Sequence, residues 1–193
     1  DVTVQVDGSG NASITASDIN NGSSDNCGIQ TLSVSPNSFT CADIGNNGVT
    51  LTVVDSSGNS SNCGATVTVE DTIPPTAVCA DDTIFLNLAG LATITASDVN
   101  GGSSDNCSGT PGLSVNQTNF TCADTSAPNT VTLTVTDGSG NSSTCTATIT
   151  VEDSIPPVVN CTDITIQLGP GGNSTISLVQ IHAGSTDNCS VTG

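Results

Sequence analysis

The chain has 193 residues, no lysine or arginine, and a formal charge of −18 from sixteen aspartates and two glutamates. Average usage would supply roughly twenty basic residues; with none, nothing can neutralise phosphates, which excludes nucleic acid as a partner, and an anionic bilayer surface repels the chain. A cation is the natural counterpart of so one-sided a charge, and the same charge keeps a repetitive surface soluble.

The chain is a set of repeats. SSDNC (Ser23 to Cys27) returns at Ser103 to Cys107, 80 residues on, and as STDNC at Ser185 to Cys189, 82 further on. DSSGNSSNC (Asp55 to Cys63) returns as DGSGNSSTC (Asp137 to Cys145), and VEDTIPP (Val69 to Pro75) as VEDSIPP (Val151 to Pro157). A near-constant period means tandem domains. With the Pro-Pro linker as boundary, the repeats are 1–72, 73–154 and 155–193, the first lacking its opening cysteine and the last its closing strands. These ends read as cuts through a longer array, or as edges completed by a neighbouring subunit's strand.

Within a repeat, VTLTVVD, GATVTVED, VTLTVTD and TATITVED alternate apolar residues with Thr, the pattern of a strand with one buried face. In the second repeat strands are expected at Thr83–Leu88, Thr93–Ala96, Leu113–Asn116, Asn119–Cys122, Val131–Thr136 and Cys145–Val151, divided by Gly, Asn and Pro turns. The third should carry Ile164–Leu168 and Thr175–Leu178. Six or seven short strands in about 80 residues, without helices, define an all-β chain of tandem immunoglobulin-like sandwiches. No stretch is long and apolar enough to insert directly into a membrane.

Nine cysteines in an aromatic-poor chain point to disulfides and an oxidising compartment, because such thin cores need cross-links. No CxxC pair supports zinc. In this kind of sandwich the first strand runs parallel to the last. Cys79 and Cys145 open those two strands, so they should lie at one end and bond. Cys107 opens the third strand and Cys122 ends the next, which is expected to return, giving Cys107–Cys122 and its copy Cys27–Cys41. Cys63, Cys161 and Cys189 are then left over. A linker-spanning scheme, Cys63–Cys79 with Cys145–Cys161, is the alternative.

Catalysis has almost no material: one histidine, His182, sits in a loop without counterpart in the other repeats, and no base recurs beside the serines. Aspartates carry the stronger signal. At the head of the second repeat the linker (Glu70, Asp71), a loop (Asp98, Asp105) and the DGSGN hairpin (Asp137) should converge, with Glu152, Asp153 and Asp187 at the next junction. Hard oxygen donors gathered there suit calcium, though Asp and Asn also close turns unaided.

The combination IPPTAVC, SSDNC and DGSGNSSTCTATITVED resembles the hyalin-repeat family, and its Asn/Ser/Thr-rich variant is similar to repeats of giant Bacteroidetes surface adhesins. The resemblance implies an immunoglobulin-like fold, an extracellular, cell-surface setting and adhesion. Ala80 and Thr162 stand where that family has proline, and Ala147 where it has an aromatic. Asp-Ser/Thr-aliphatic triplets likewise resemble O-glycosylation acceptors, at Thr72, Thr83 and Ser154. The reading is a non-enzymatic structural segment of a fibre or adhesin stalk, partnered by neighbouring repeats or subunits of the same fibre. A carbohydrate-binding array is the alternative, disfavoured by the scarcity of aromatics.

Overall fold

The computed structural model describes residues 1–107 and 109–189. They divide into two compact units, residues 1–78 with 101–107, 109–114 and 134–145, and residues 79–100 with 115–133 and 146–189.

In the first unit the opening repeat forms β1 (Val2–Gln5), β2 (Asn11–Ser13), α1 (Ala16–Ile19), β3 (Ile29–Ser35), β4 (Ser38–Thr40), β5 (Gly45–Asp55) and β6 (Ser60–Glu70). One sheet runs β1-β6-β5-β3, and β2 pairs with β4 in the other. β1 lies parallel to β6, Val2 opposite Val67 and Gln5 opposite Glu70. Because side chains alternate across a strand, the apolar members of VTLTVVD and GATVTVED face one way. Val49, Leu51, Val67 and Val69 meet Val6, Ile14, Ile19 and Phe39 in one core, and the intervening threonines face outward. This is an immunoglobulin-like sandwich.

In the opening repeat the sequence-expected absence of helix is corrected by α1. α1 is a single turn opened by a capping box: Asp18 Oδ2 accepts from the Thr15 N–H at 2.6 Å and from its hydroxyl at 2.8 Å. The Thr-x-x-Asp spacing before Ile19 is the local signal.

Strand directions matter for the cysteines. β6 descends toward the linker, β5 ascends antiparallel to it, and β3 descends. After the cis Ser35–Pro36 peptide the chain switches sheets, and β4, antiparallel to the ascending β2, still descends. The expected return strand therefore does not return.

The next repeat forms β7 (Asp82–Phe85), β8 (Leu91–Thr93), β9 (Gly112–Val115), β10 (Asn119–Thr121), β11 (Asn129–Thr136) and β12 (Ser142–Glu152). Their order repeats the first sandwich: β7-β12-β11-β9, with β10 beside β8. β7 runs parallel to β12, Asp82 opposite Ile149. β7 stops at Phe85 rather than Leu88 because Asn87 Oδ1 turns the chain, accepting from the N–H groups of Ala89 and Leu91. In the second unit Phe120, Val131, Leu133 and Ile149 are fully buried.

Residues 155–189 hold α2 (Leu178–Ile181) and the isolated bridges Val158–Thr186 and Cys161–His182. Ile164–Leu168 and Thr175–Ser177 are not strands. β1 and β7 each form against the long closing strand of their own repeat, and 155–189 contain no equivalent. Ile166, Leu168 and Ile176 are accordingly exposed.

Core and surface aromatics should separate on mutation. Phe120→Ala should destabilise by about 3–5 kcal/mol, whereas Phe85→Ala, at a side chain 57% exposed, should change stability by about 0.5 kcal/mol or less. Denaturant unfolding checks both, and equal losses would contradict the assigned core.

Candidate functional site at the repeat junction

Two disulfides link repeats rather than close them. Cys41 bonds Cys107 with Cα atoms 5.2 Å apart, and Cys122 bonds Cys189 at the same separation. The expected Cys27–Cys41 and Cys107–Cys122 pairs do not form. β3 and β4 both descend, and their ten residues, at about 3.3 Å each, carry Cys41 roughly 30 Å from Cys27. A disulfide tolerates a Cα separation of only about 7 Å. Cys79 and Cys145 are both disulfide-bonded, while Cys27, Cys63 and Cys161 are exposed free thiols. The linker-spanning alternative is thereby excluded, and Cys189, expected to be left over, is bonded in place of Cys27.

Each bond pins a DNC loop onto the first hairpin of the preceding repeat. At Cys41, the Asp7–Gly10 hairpin is closed by Asp7 Oδ1, which accepts from the N–H groups of Ser9 and Asn11. Asn106 Nδ2 donates to Asp7 O at 3.2 Å. The next copy is alike, Asn188 Nδ2 donating to Asn87 O at 3.3 Å. Glycine is required beneath each loop. Gly10 has φ +75°, and a Cβ there would lie 2.5 Å from Cys41 Sγ and 3.0 Å from Asn106 O. A Cβ at Gly90, φ +70°, would lie 2.7 Å from Asn188 O and 2.8 Å from Cys122 Sγ. These contacts demand both positive φ and no side chain.

Beside the first loop three carboxylates converge. One oxygen from each of Asp71, Asp105 and Asp137 lies within 4.8 Å of the others. Asp71 and Asp137 are buried, 6% and 7% exposed. Asp137 closes its hairpin, Oδ1 accepting from the N–H groups of Ser139 and Asn141 and Oδ2 from Asn141 Nδ2. Asp55 makes the same turn in the first repeat, so turn chemistry accounts for Asp137. It does not account for Asp71. Asp71 Oδ1 accepts from Ile73 N–H and Asn106 Nδ2, but Oδ2 is buried and accepts no hydrogen bond. Asn106 Oδ1 is buried without a partner too, and Asn188 Oδ1 repeats this at the next junction. Leaving a buried acceptor unsatisfied costs about 1–3 kcal/mol, and like charges so close repel further.

The other expected ligands lie elsewhere. Asp98 caps a turn, its Oδ2 accepting from Thr95 N–H and hydroxyl. Glu70 and Glu152 end β6 and β12 with exposed side chains. Asp153 Oδ1 accepts from Asn188 Nδ2 at 3.0 Å, reproducing the Asp71–Asn106 contact, and Asp187 Oδ1 accepts from Asn188 N–H. Thr72, Thr83 and Ser154 are exposed. His182 Nε2 accepts from Ser185 N–H, closing its own loop. Asn106 and Asn188 were missed as candidates; their recurrence after Asp in DNC was the available signal.

No protein-family model and no curated protein matches the chain. Solved structures resemble it in part. A protocadherin gamma B4 extracellular domain is 16% identical with TM-score 0.38, covering 84% of this chain and 33% of its own. An I-band fragment of titin is 12% identical with TM-score 0.32, covering 82% and 65%. Fibronectin(III)-like modules of CbhA from Clostridium thermocellum are 12% identical with TM-score 0.29, covering 79% and 90%. The chain thus spans about a third of the protocadherin chain, and the fold stands on its own strand order and register.

The carboxylates that accept from turn and cap donors set an acid limit. Thr15 N–H lowers the pKa of Asp18, the Asn59 side chain that of Asp55, and Thr95 N–H that of Asp98. A carboxyl whose folded pKa is depressed stabilises the fold above the ordinary carboxylate range and loses that contribution as pH falls through the folded value. The melting temperature should therefore drop as pH is lowered through that range, and Asp98→Asn should flatten the drop. An unchanged pH profile in the variant would contradict the assignment.

Proposed function

We propose that the chain is a structural segment of an extracellular fibre or adhesin stalk, built of hyalin-repeat-like immunoglobulin sandwiches whose junctions are locked covalently and by a cation. The observation that carries this reading is the recurrence of one device at both junctions: a DNC loop bonded to the preceding repeat, with an Asn oxygen left buried beside it. A scaffold that copies its connections maintains spacing between repeats. Six disulfide-bonded cysteines fit an oxidising, extracellular setting. The sugar-binding reading is weaker, since two of the three phenylalanines, Phe39 and Phe120, are core residues.

Asp71, Asp105 and Asp137, with Asn106 Oδ1, would hold the cation. All are oxygen donors, which suits calcium rather than zinc or copper. The chain has no lysine or arginine to neutralise buried carboxylates, so the counter-charge must come from solution. A bound divalent ion would offset the repulsion among the three carboxylates and satisfy Asp71 Oδ2. We extend the reading to glycans at exposed Thr72, Thr83 and Ser154, which intact mass on protein from its native host would reveal.

Two measurements test the proposal. Antibody against this segment should label intact cells of the native host, and labelling only after permeabilisation would contradict the extracellular role. Calcium at about 100-fold over its Kd should add about 2.7 kcal/mol and raise the Tm by 5 °C or more. In chelator, Asp71→Asn should melt at or above the native chain because it removes a repelling charge; in calcium it should melt below it. Superimposable native curves in calcium and chelator would eliminate the cation.

A further inference from the structure

We infer that the Asp25–Asn26–Cys27 loop is a covalent docking site for a further repeat of this kind, one that presents an F-x-C cysteine beside a positive-φ glycine hairpin. Cys27 occupies the DNC position of Cys107 and Cys189, and both of those are bonded to the F-x-C cysteine of the repeat before them, Cys41 and Cys122. The loop already has the same local form: Cys27 N–H donates to Asp25 Oδ1 at 2.8 Å, as Cys107 N–H donates to Asp105 Oδ2 at 2.9 Å. Its thiol is exposed and free.

The partner's chemistry follows from elimination. Cys41 and Cys122 are the F-x-C cysteines of this chain, and each is engaged. A second copy of these 193 residues therefore offers Cys27 no vacant acceptor of the right kind. The acceptor is an additional repeat whose F-x-C thiol is unspent, with a glycine at the position of Gly10 and Gly90, where a Cβ would obstruct the incoming Asn carbonyl. In the step, the Cys27 thiol and the acceptor thiol lose two protons and two electrons and form one S–S bond. A protein disulfide of the thiol-oxidase class accepts the electrons and becomes a dithiol.

This inference rests on the repeat register and not on the cation, so insensitivity to chelation would leave it standing. The test uses the full-length protein from its native host, alkylated without reduction, digested by pepsin at low pH to prevent exchange, and mapped by mass spectrometry. The Cys27 peptide should appear linked to an F-x-C peptide from outside Asp1–Gly193. Alkylated Cys27, or Cys27 linked to any other cysteine within Asp1–Gly193, would overturn the proposal. In the full-length Cys27→Ser protein, one new thiol per molecule should become reactive to maleimide, at that F-x-C cysteine. No new thiol would also overturn it.

Discussion

The Cys41–Cys107 bond is the constraint on which the rest of the first junction depends. It closes a loop across a sequence separation of 66, which in the chain-entropy account stabilises by about 4 kcal/mol. It brings the DNC loop onto a hairpin of another repeat, and that contact dictates the glycine beneath it and the Asn above it. The same set of residues recurs at Gly90, Cys122, Asn188 and Cys189. The Cys41–Cys107 bond ties its DNC loop to the preceding repeat at the end where β6 meets the linker.

Charge is the second constraint, and it acts at the same place. Asp105 and Cys107 share one five-residue motif, so the loop that carries the disulfide also carries a carboxylate toward buried Asp71 and Asp137. Bonding and charge burial are thus coupled. The loop cannot reach Cys41 without bringing Asp105 and the Asn106 oxygen into a dry, acidic position. In a chain without lysine or arginine, protons or solution cations must offset that arrangement.

Much of the sandwich was legible in the sequence because alternation in VTLTVVD and TATITVED has a single physical meaning, one buried face. The parallel pairing of first and last strands followed from the fold class. The disulfide partners were not legible, because they depend on strand direction after Pro36. A three-residue strand such as β4 carries too little pattern to show that it continues downward in the other sheet. Asp98 was misread for a related reason: a capping carboxylate and a metal ligand look alike in sequence, and only Thr95 at its side separates them. Of the acidic set, Asp71, Asp105 and Asp137 meet because linker, DNC loop and hairpin converge.

Pulling a single chain end to end, with and without reductant, tests the inter-repeat bonding most directly. With Cys41–Cys107 and Cys122–Cys189 intact, tension bypasses the residues inside each loop. Only Asp1–Cys41, Cys107–Cys122 and Cys189–Gly193 extend, about a third of the contour length at ~3.5 Å per residue. Reductant should then release the remaining two thirds. Release of well over half the contour length before reduction would mean that the bonds close within repeats, and would contradict the account.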